Sequence, residues 1–458
     1  MRQTSNTAKF ITKYNVPGPR YTSYPTVPYW KKEQWTSEDW LATVTQNRLH
    51  FNTNTLSLYI HLPYCDSLCT FCGCHKHITT NHAVEAPYIT AVLEEWRIFL
   101  ASSHESFELE EIHLGGGTPT FFSPSELKRL IVGITETVAL SPNAQLGFEA
   151  HPGSTSDEHL SVLHDLGFTR VSFGIQDYDP TVQKAIHREQ SFESVAIVHQ
   201  KARDLGYTSI SHDLVFGLPK QQLEGFIETV NKTISLLPDR ISLYSYAHVP
   251  WIKGNGQRGF KDQDVPKDEA KRTLYEVGKA LLFQNDYHEI GMDHFALKSD
   301  SLYTAFQQKK LHRNFMGYSH SKTQLMIGLG VSSISDSWYG FAQNVKTIED
   351  YYQALNQNNF PVFRGHQLTA EDLIIRQHIL NLMCQFETSW ADAGLYFNEI
   401  PEIVSQLKEM EYDGLLEFVK QGIRVTEKGK AFVRNICMAF DLRLKRKAPE
   451  TELFSMTI

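Results

Sequence analysis

The sequence predicts an α/β protein whose central sheet is parallel, and three observations support this fold class. Between about residues 55 and 295 one unit repeats, consisting of a short apolar strand, a loop and an amphipathic helix. The strand-like runs are rich in Ile, Leu, Val, Phe and Tyr and are bounded by Gly, Pro or Asp. Helix-capping residues stand where the helices should begin. Such repeated alternation requires right-handed crossovers, and therefore a parallel sheet.

Seven runs are predicted as strands. They are LSLYIHL from Leu56, EEIHLGGG before Thr118, QLGFEAH to His151, RVSFGIQD from Arg170, SISHDLVFGL from Ser209, RISLYSYAH from Arg240 and HEIGMDHF from His288. An open doubly wound sheet and a full or partial barrel share this pattern, and periodicity does not separate them. In both architectures the ligands bind at the C-terminal ends of the strands.

The helices between these strands carry start and stop signals. Ser123-Pro124-Ser125-Glu126 is a capping box with proline at the first helical position. Asp179 followed by proline repeats the signal. The apolar residues of 87–100 recur at near-helical spacing. Gly167 and Gly206 stand where two helices should end.

Three regions of different character divide the chain. Residues 1–54 hold four prolines between positions 17 and 28, which predicts an extended N-terminal arm. Residues 55–360 contain the strand–helix repeat. Residues 361–458 show helical periods without strand repeats, which predicts a separate, mainly helical C-terminal domain.

Composition limits the classes of function. With 41% hydrophobic and 21% charged residues, the 458-residue chain is typical of a globular protein. No apolar run approaches the roughly 18 residues that span a bilayer. The start, MRQTSNTAKF, lacks the apolar segment of a secretory signal, so we expect a cytoplasmic protein. The net charge of −8 argues against nucleic-acid binding, and an acidic ligand would need a local cluster of cations.

Four of the six cysteines fall within ten residues, at Cys65, Cys69, Cys72 and Cys74. The first three have the spacing C-x3-C-x2-C, and compact thiolate loops of this kind hold one [4Fe–4S] cluster. Three ligands leave one iron open, which is typical of a catalytic metal site. There are two alternatives. One is a structural zinc site formed by these cysteines with His75 or His77, and the other is a redox-active thiol loop. Zinc motifs usually need a second, distant pair of ligands, which is absent here.

The cysteine spacing, with an aromatic residue before the third cysteine, resembles the signature of the radical S-adenosylmethionine enzymes. Further short motifs, taken in order, resemble those of one family of these enzymes, the oxygen-independent coproporphyrinogen III oxidases. These motifs are PGPRYTSYPT, YIHLPYC, C-x-FCGC, HLGGGTPT, FGIQD, DLVFGLPKQ, YAHVP, GMDHFA, LHRNF-x-GY, GVSSIS and RNICMAFD. The resemblance runs from about Pro17 to the C-terminus.

The resemblance implies that residues 55–360 form a radical S-adenosylmethionine catalytic domain, a partial TIM-like (β/α) barrel. It implies cluster ligation by Cys65, Cys69 and Cys72, and a fourth cysteine, Cys74, that does not bind the cluster and is a candidate for a catalytic role. It also implies two bound S-adenosylmethionines. The contacts to the cluster-bound molecule would be Tyr59, Gly116, Glu149 and Ile334. The contacts to the second would be Phe71, Gly117, Thr118, Gln176, Arg188, Asp213 and Ala247.

The implied reaction is the oxidative decarboxylation of two propionates of coproporphyrinogen III to the vinyl groups of protoporphyrinogen IX, in haem biosynthesis. The implied partners are this substrate and an electron donor such as flavodoxin or ferredoxin, and we expect a monomer that binds neither membrane nor nucleic acid. Because the substrate is a tetracarboxylate, Arg20 and Arg313 are hypothesised to bind it.

The alternative function is that of a haem-binding chaperone of the same superfamily. Its cysteine loop lacks the fourth cysteine and its N-terminal arm is reduced, so Cys74 and PGPRYTSYPT favour the enzyme. Two positions depart from the family pattern. Met316 stands where Gln is frequent, and His151-Pro152-Gly153 stands where Asp-Pro-Arg is frequent, which puts fine substrate contacts and the hydrogen bonding near Glu149 in doubt.

Overall fold

The computed structural model describes residues 10, 13–31, 35–103, 105–251, 256–257, 259–320, 323–447 and 454–457. The first nine residues of the predicted arm, on which the expectation about a secretory signal falls, lie outside this set. Among the described helices, none is both long enough and apolar enough to cross a membrane.

Twelve of the described strands form one sheet, in the order β16-β15-β14-β13-β1-β4-β5-β6-β7-β8-β10-β9. Their bounds are β1 Thr55–Leu62, β4 Glu108–Gly116, β5 Ala139–Ala150, β6 Arg170–Gln176, β7 Ser209–Phe216, β8 Arg240–Ser245, β9 His288–Gly291, β10 His294–Ala296, β13 Met326–Leu329, β14 Ile334–Asp336, β15 Gly340–Asn344 and β16 Val362–Gln367. Smaller pairs are formed by β2 Tyr64–Cys65 with β3 His77–Ile78, and by β11 His312–Asn314 with β12 Gly317–Ser319.

The parallel strands follow the order of the chain. Strands β1, β4, β5, β6, β7 and β8 pair successively in parallel, and β13 adds in parallel to the free side of β1. A doubly wound sheet would reverse its strand order at a switch point. Here the order does not reverse, and the outermost described strands, β16 and β9, do not pair with each other. The sheet is therefore an open, partial barrel, which confirms the predicted fold class.

The two faces of the parallel strands differ in polarity. Leu58, Ile112 and Leu146 are buried on one face, where the helices pack. The register places Tyr59 beside His113 on the other face, and the neighbouring strands continue that row with glycine, arginine and serine. Helices cover both faces of a doubly wound sheet, so its strands are apolar throughout. The alternation seen here leaves one polar face, which lines the barrel interior.

Buried ion pairs fill the barrel interior at the N-terminal ends of the strands. Arg240, the first residue of β8, donates through Nε to Asp300 at 2.8 Å, and Ser209 donates to the same carboxylate at 2.7 Å. Arg170, the first residue of β6, lies 3.7 Å from Glu111. All five side chains are buried or nearly so. Charged groups buried in this way must be paired, and these pairs fill the end of the barrel opposite the ligand-binding end.

The helices begin where their caps predict. Ser123 accepts from the backbone N–H of Glu126, and Asp179 accepts from two N–H groups of the next helix. Gly167 and Gly206 have φ of +92° and +100°, so they take the left-handed conformation after helix ends. The α-helices between sheet strands are Glu85–Ser103, Pro124–Thr135, Asp157–Asp165, Pro180–Ala185, Phe192–Leu205, Leu223–Ser235, Asp268–Gln284, Ser301–Gln307 and Ile348–Asn356.

The prediction of one strand over HEIGMDHF is wrong in detail. The segment forms two short antiparallel strands, β9 and β10, and β10 pairs antiparallel with β8. The chain reverses at Met292 and Asp293, and Asp293 adopts φ +65°. Aspartate tolerates this left-handed conformation better than most residues. The hairpin therefore ends the parallel repeat after six strands, β1 and β4 to β8.

The C-terminal region follows the sheet. Strand β16 belongs to the main sheet, so the sheet passes residue 360 before the chain becomes mainly helical. The later elements are the helices Ala370–Gln385, Ile400–Tyr412, Val433–Phe440 and Leu442–Arg446 and the strands β17 Glu387–Ser389, β18 Leu416–Val419 and β19 Gly422–Val425. In the arm, an α-helix covers Ser37–Phe51 and a 3₁₀ helix covers Val27–Tyr29, so the arm is not extended throughout as predicted. The division into three domains stays a prediction.

A buried ion pair joins the C-terminal region to the sheet. Arg376 in the helix Ala370–Gln385 donates through Nη2 to Asp336 of β14 at 2.5 Å, and through Nη1 to the Trp338 carbonyl at 2.9 Å. Its guanidinium also stacks over the Trp338 ring at 4.3 Å. Both charged side chains are less than 10% exposed. Removing one partner of such a pair leaves the other charge buried without compensation.

We expect Arg376→Met to lower the free energy of unfolding by about 3–5 kcal/mol, because Asp336 would stay buried and unpaired. Urea unfolding followed by circular dichroism measures this. Arg446→Met is the matched control, since Arg446 forms surface ion pairs with Glu371 and Glu399 that contribute little. Equal stabilities for the two variants would contradict the prediction.

Candidate active site

The cysteine loop leaves the C-terminal end of β1 and is anchored at its base by backbone hydrogen bonds. The His77 N–H donates to the Pro63 carbonyl at 2.8 Å, where β2 and β3 pair. On the side of β4, the Thr118 N–H donates to the Tyr64 carbonyl at 3.0 Å. The loop that carries the four clustered cysteines therefore starts and ends on fixed backbone.

The glycine run after β4 packs against this base. Gly116 adopts φ +117°, a conformation that side chains rarely tolerate. A Cβ on Gly117 would lie 2.5 Å from the Pro63 carbonyl oxygen. Glycines at a ligand site let the backbone approach the ligand closely. The structure shows that close packing on the cysteine loop also requires them.

A cavity of about 690 Å³ opens at the C-terminal ends of the parallel strands. It brings together residues from the cysteine loop, the glycine run and the ends of β5, β6, β7 and β8. Most of the predicted site residues line it, namely Cys65, Cys69, Phe71, Cys72, Cys74, Gly116, Gly117, Thr118, Glu149, Gln176, Arg188, Asp213 and Ala247. Arg188 joins them from beyond the helix Pro180–Ala185, so seven separate segments converge, as the strand-end rule leads us to expect.

Four predicted site residues do not line the cavity. A Cβ on Gly115 would lie 3.0 Å from both the Tyr59 ring and the Glu149 carboxylate. Because Glu149 lines the cavity, Tyr59 lies directly behind the cavity wall. Ile334 packs in the apolar cluster around Trp30 and Phe341.

Arg20 and Arg313 lie beyond Tyr244, which lines the cavity. Arg20 donates to Asp293 at 2.6 Å and lies 6.0 Å over the Tyr244 ring. Arg313 is 5% exposed and stacks over Tyr318 at 4.6 Å.

Hydrogen-bond donors surround the predicted cluster ligands. Arg188 donates through Nη1 to Cys69 Sγ at 3.6 Å, and Thr118 Oγ1 lies 3.3 Å from Cys65 Sγ. A hydrogen bond from Cys74, helped by the Lys76 ammonium, lowers the pKa of the Cys72 thiol to about 6. Burial raises the pKa of Cys65 to about 11, against the effect of the Thr118 hydrogen bond. Donors and cations favour the thiolate, which is the form that ligates metal.

Two carboxylates, from β5 and β7, also line the cavity. Glu149 accepts from the Gly116 N–H at 3.3 Å. Asp213 accepts from Ser172 at 2.9 Å, and burial raises its pKa to about 6. Gln176 at the end of β6 adopts φ +68°, which ends the strand at the cavity. Both carboxylates retain oxygen lone pairs for hydroxyl or ammonium groups of a ligand.

Sequence reasoning missed Gln257, which ties two walls of the cavity together. Its amide donates to the carbonyls of Phe71 and Ala247 at 3.2 and 2.9 Å, and its Oε1 accepts from the Val249 N–H at 2.7 Å. Gln257 is 3% exposed. It lies in a loop without motif or periodicity, so no signal in the sequence indicated it.

Ser172, by contrast, could have been found. It alternates with Gly174 and Gln176 along β6, and it therefore shares the inward face.

The two departures from the family pattern have local roles here. His151 Nδ1 accepts from the Gly153 N–H at 2.9 Å and so caps the turn after β5. The Met316 N–H donates to Asn314 Oδ1 at 2.9 Å in the β11–β12 turn.

Comparison with known proteins agrees with this geometry. The family model described as the radical SAM superfamily matches residues 59–233. The oxygen-independent coproporphyrinogen III oxidase of Salmonella typhimurium (strain LT2) is 38% identical over 446 residues, covering 96% of this chain and 95% of that protein. The enzyme of the same name from Helicobacter pylori (strain J99) is 38% identical over 450 residues, covering 97% and 98%.

A solved structure agrees over the whole fold. The coproporphyrinogen III oxidase of Escherichia coli, which is described as a radical SAM enzyme, superposes with a TM-score of 0.87 at 35% identity. The match covers 93% of this chain and 98% of that chain.

The partial barrel, with its cysteine loop at the C-terminal ends of the strands, defines an enzyme of the radical SAM class. Within that class, the chain belongs to the family of the oxygen-independent coproporphyrinogen III oxidases.

Membership implies a [4Fe–4S] cluster and S-adenosylmethionine as cofactors, and the residues present fit them. The three cysteines line one cavity with thiolate-stabilising donors around them. Among the described residues, no three Cys, His, Asp or Glu side chains are grouped tightly enough to hold a single metal ion. A cubane cluster makes a different demand, because each cysteine binds its own iron.

We expect Gln257→Ala to loosen the cysteine loop, because it removes three hydrogen bonds that each contribute about 1 kcal/mol. Hydrogen exchange should accelerate in the segments around Phe71 and Ala247 and stay unchanged elsewhere. Gln406→Ala, at an exposed helix position, is the control. Unchanged exchange at both segments would refute the role assigned to Gln257.

Proposed function

We propose that this enzyme converts two propionates of coproporphyrinogen III to the vinyl groups of protoporphyrinogen IX without oxygen, in haem biosynthesis. One observation supports the proposal most strongly. The C-x3-C-x2-C cysteines, the glycine run and the carboxylates of β5 and β7 line the same cavity. The family relationship supports the choice of substrate.

In this proposal Cys65, Cys69 and Cys72 hold the cluster, and the loop base keeps them in place. When bound, the reduced cluster and adenosylmethionine would supply one-electron reductive cleavage to a 5′-deoxyadenosyl radical, which is the chemistry needed to remove a hydrogen atom from a propionate β-carbon. The electron left when carbon dioxide departs would pass to an acceptor. No side chain then needs to act as a classical acid or base. The role of the protein is to bind, orient and exclude water.

We propose that two adenosylmethionines bind in the cavity region. Tyr59, Gly116, Glu149 and Ile334 are assigned to the cluster-bound molecule. Phe71, Gly117, Thr118, Gln176, Arg188, Asp213 and Ala247 are assigned to the second. Arg188 supports this assignment, since its Nη2 donates to the Gly174 carbonyl at 2.6 Å while its buried Nε has no hydrogen-bond partner in the described part of the chain. A ligand carboxylate would satisfy such a group.

Arg20 and Arg313 are proposed to bind substrate carboxylates. Arg313 supports this best, because its Nε and Nη1 are buried and make no hydrogen bond with any described residue. Its Nη2 makes a long contact of 3.4 Å with the Arg20 carbonyl. A buried guanidinium without a carboxylate is costly, and an anionic ligand would offset that cost.

We propose that the enzyme acts in the cytoplasm as a monomer. It would receive electrons from a small protein such as flavodoxin or ferredoxin. The net charge of −8 supports the absence of nucleic acid as a partner. No observation on the molecule favours the haem-chaperone function.

Anaerobic turnover tests the function. Reconstituted protein with coproporphyrinogen III, adenosylmethionine and a strong reductant should form protoporphyrinogen IX and 5′-deoxyadenosine. We expect Cys69→Ser to abolish both products, because a cluster ligand is lost. Cys74→Ser should keep its iron content, because Cys74 is not assigned as a ligand.

Each other outcome of this experiment has a distinct meaning. Formation of 5′-deoxyadenosine without protoporphyrinogen IX would contradict the proposed substrate but support the radical chemistry. Neither product, together with tight haem binding, would favour the chaperone. Equal iron loss in both variants would contradict the ligand assignment.

Arg313→Gln separates a substrate role from a structural one. We expect the KM for coproporphyrinogen III to rise about 10-fold or more, because a charge-assisted bond contributes roughly 1.5–3 kcal/mol. Thermal stability should stay the same or increase, because the variant removes a buried charge. A lower melting temperature with unchanged KM would show that Arg313 is structural.

A further inference from the structure

A second, smaller cavity of about 40 Å³ lies beside the first, and Ser245 lines both. Its walls come from distant parts of the chain: Arg20 of the arm, Arg272 of the helix Asp268–Gln284, and Lys430 and Arg434 of the C-terminal region. A single water needs roughly 10–15 Å³ of such space. The second cavity is therefore too small for a tetrapyrrole ring but has room for one carboxylate group.

The charges around the second cavity do not balance. Four cationic side chains line it, against two carboxylates, Asp293 and Glu289. Both carboxylates are already engaged: Asp293 pairs with Arg20 at 2.6 Å, and Glu289 pairs with Lys279 at 2.6 Å. The lining residues therefore carry an excess of positive charge.

Arg434 contributes a buried cation without a carboxylate partner among the described residues. Its three nitrogens donate to the backbone carbonyls of Gly18, Pro19 and Met456. Carbonyl groups satisfy the donors but do not neutralise the charge. Burial, and next the nearby Arg20, lower the pKa of Arg434 to about 9, so it remains protonated at pH 7.

Among the described residues, Arg272 and Lys430 form ion pairs only with carboxylates that are exposed to solvent. Arg272 pairs with Glu276, which is about half exposed, while its own Nε is buried and has no hydrogen-bond partner among the residues that the structure describes. Lys430 pairs with Glu427 at 2.6 Å, and Glu427 is 77% exposed. Ion pairs with such exposed partners are weak, so both cations can bind an anion in the cavity.

We propose that the second cavity is a subsite for one carboxylate of the substrate, a propionate that is not being oxidised while another propionate reacts in the first cavity. This inference rests on the proposed function. It assigns Arg272, Lys430 and Arg434 to substrate recognition and gives the C-terminal region a part in the site. Charge-assisted hydrogen bonds to a partly dehydrated carboxylate supply the binding energy.

The test is a double variant, Arg272→Gln with Lys430→Gln, which leaves Arg434 holding the arm. Equilibrium binding to cluster-containing protein is measured by fluorescence quenching with two stable probes. One is coproporphyrin III, which has four propionates, and the other is its tetramethyl ester, which has none. We expect coproporphyrin III to bind roughly 10- to 100-fold more weakly to the double variant. The ester should bind both proteins equally.

Arg97→Gln, on an exposed helix face, is the control for charge alone. Equal affinity of coproporphyrin III for wild type and double variant would overturn the subsite. An equal loss for both probes would overturn it too, since that result indicates general damage.

Turnover by the same wild-type preparation distinguishes this result from failure of the proposed function. If the wild-type protein binds coproporphyrin III but forms no protoporphyrinogen IX, the proposed reaction is refuted. The ratio of the coproporphyrin III affinities of wild type and double variant would still test the proposed subsite. Wild-type protein that binds neither probe would overturn both.

Discussion

The parallel register of β1 against β4 is the constraint on which the site depends. Leu62 pairs with Gly116, so the cysteine loop and the glycine run leave the sheet side by side. The Gly117 N–H donates to the Leu62 carbonyl at 2.9 Å, and no Cβ fits there beneath Pro63. The hydrogen bonds between the backbones of β1 and β4 therefore determine where the cysteine loop begins. A shift of one residue would turn the strand's side chains to the wrong face and misplace the loop.

The polar inner face of the sheet follows from the same pairing. Alternation along each strand directs apolar side chains to the helices and polar ones to the interior, where they must be satisfied. At the N-terminal ends Arg240 with Asp300 and Arg170 with Glu111 pair with each other. At the C-terminal ends Glu149 and Asp213 face the open cavity. One face thus provides both a closed, structural end and an open, binding end.

The arm and the C-terminal region meet beside that open end. Arg434 holds the backbone of Gly18 and Pro19, and this contact brings Arg20 next to Tyr244 at the cavity wall. Regions outside the barrel therefore supply Arg20, Lys430 and Arg434, three of the four cations that line the second cavity. The excess of positive charge costs stability in the protein without ligand, and a polycarboxylate substrate would offset that cost. Stability and recognition are coupled at this junction.

The amino-acid sequence by itself determined the six parallel strands β1 and β4 to β8, the helix starts and the cysteine spacing, because these depend on backbone sterics and on neighbours within a few residues. The caps at Ser123 and Asp179 and the C-x3-C-x2-C loop are of this kind. Only the tertiary structure decided between a barrel and a doubly wound sheet, because β13 joins β1 across more than 250 residues. It also decided the β9–β10 hairpin and the position of Gln257. The second cavity required it too, since its cations come from positions 20 to 434 and meet only through long-range packing.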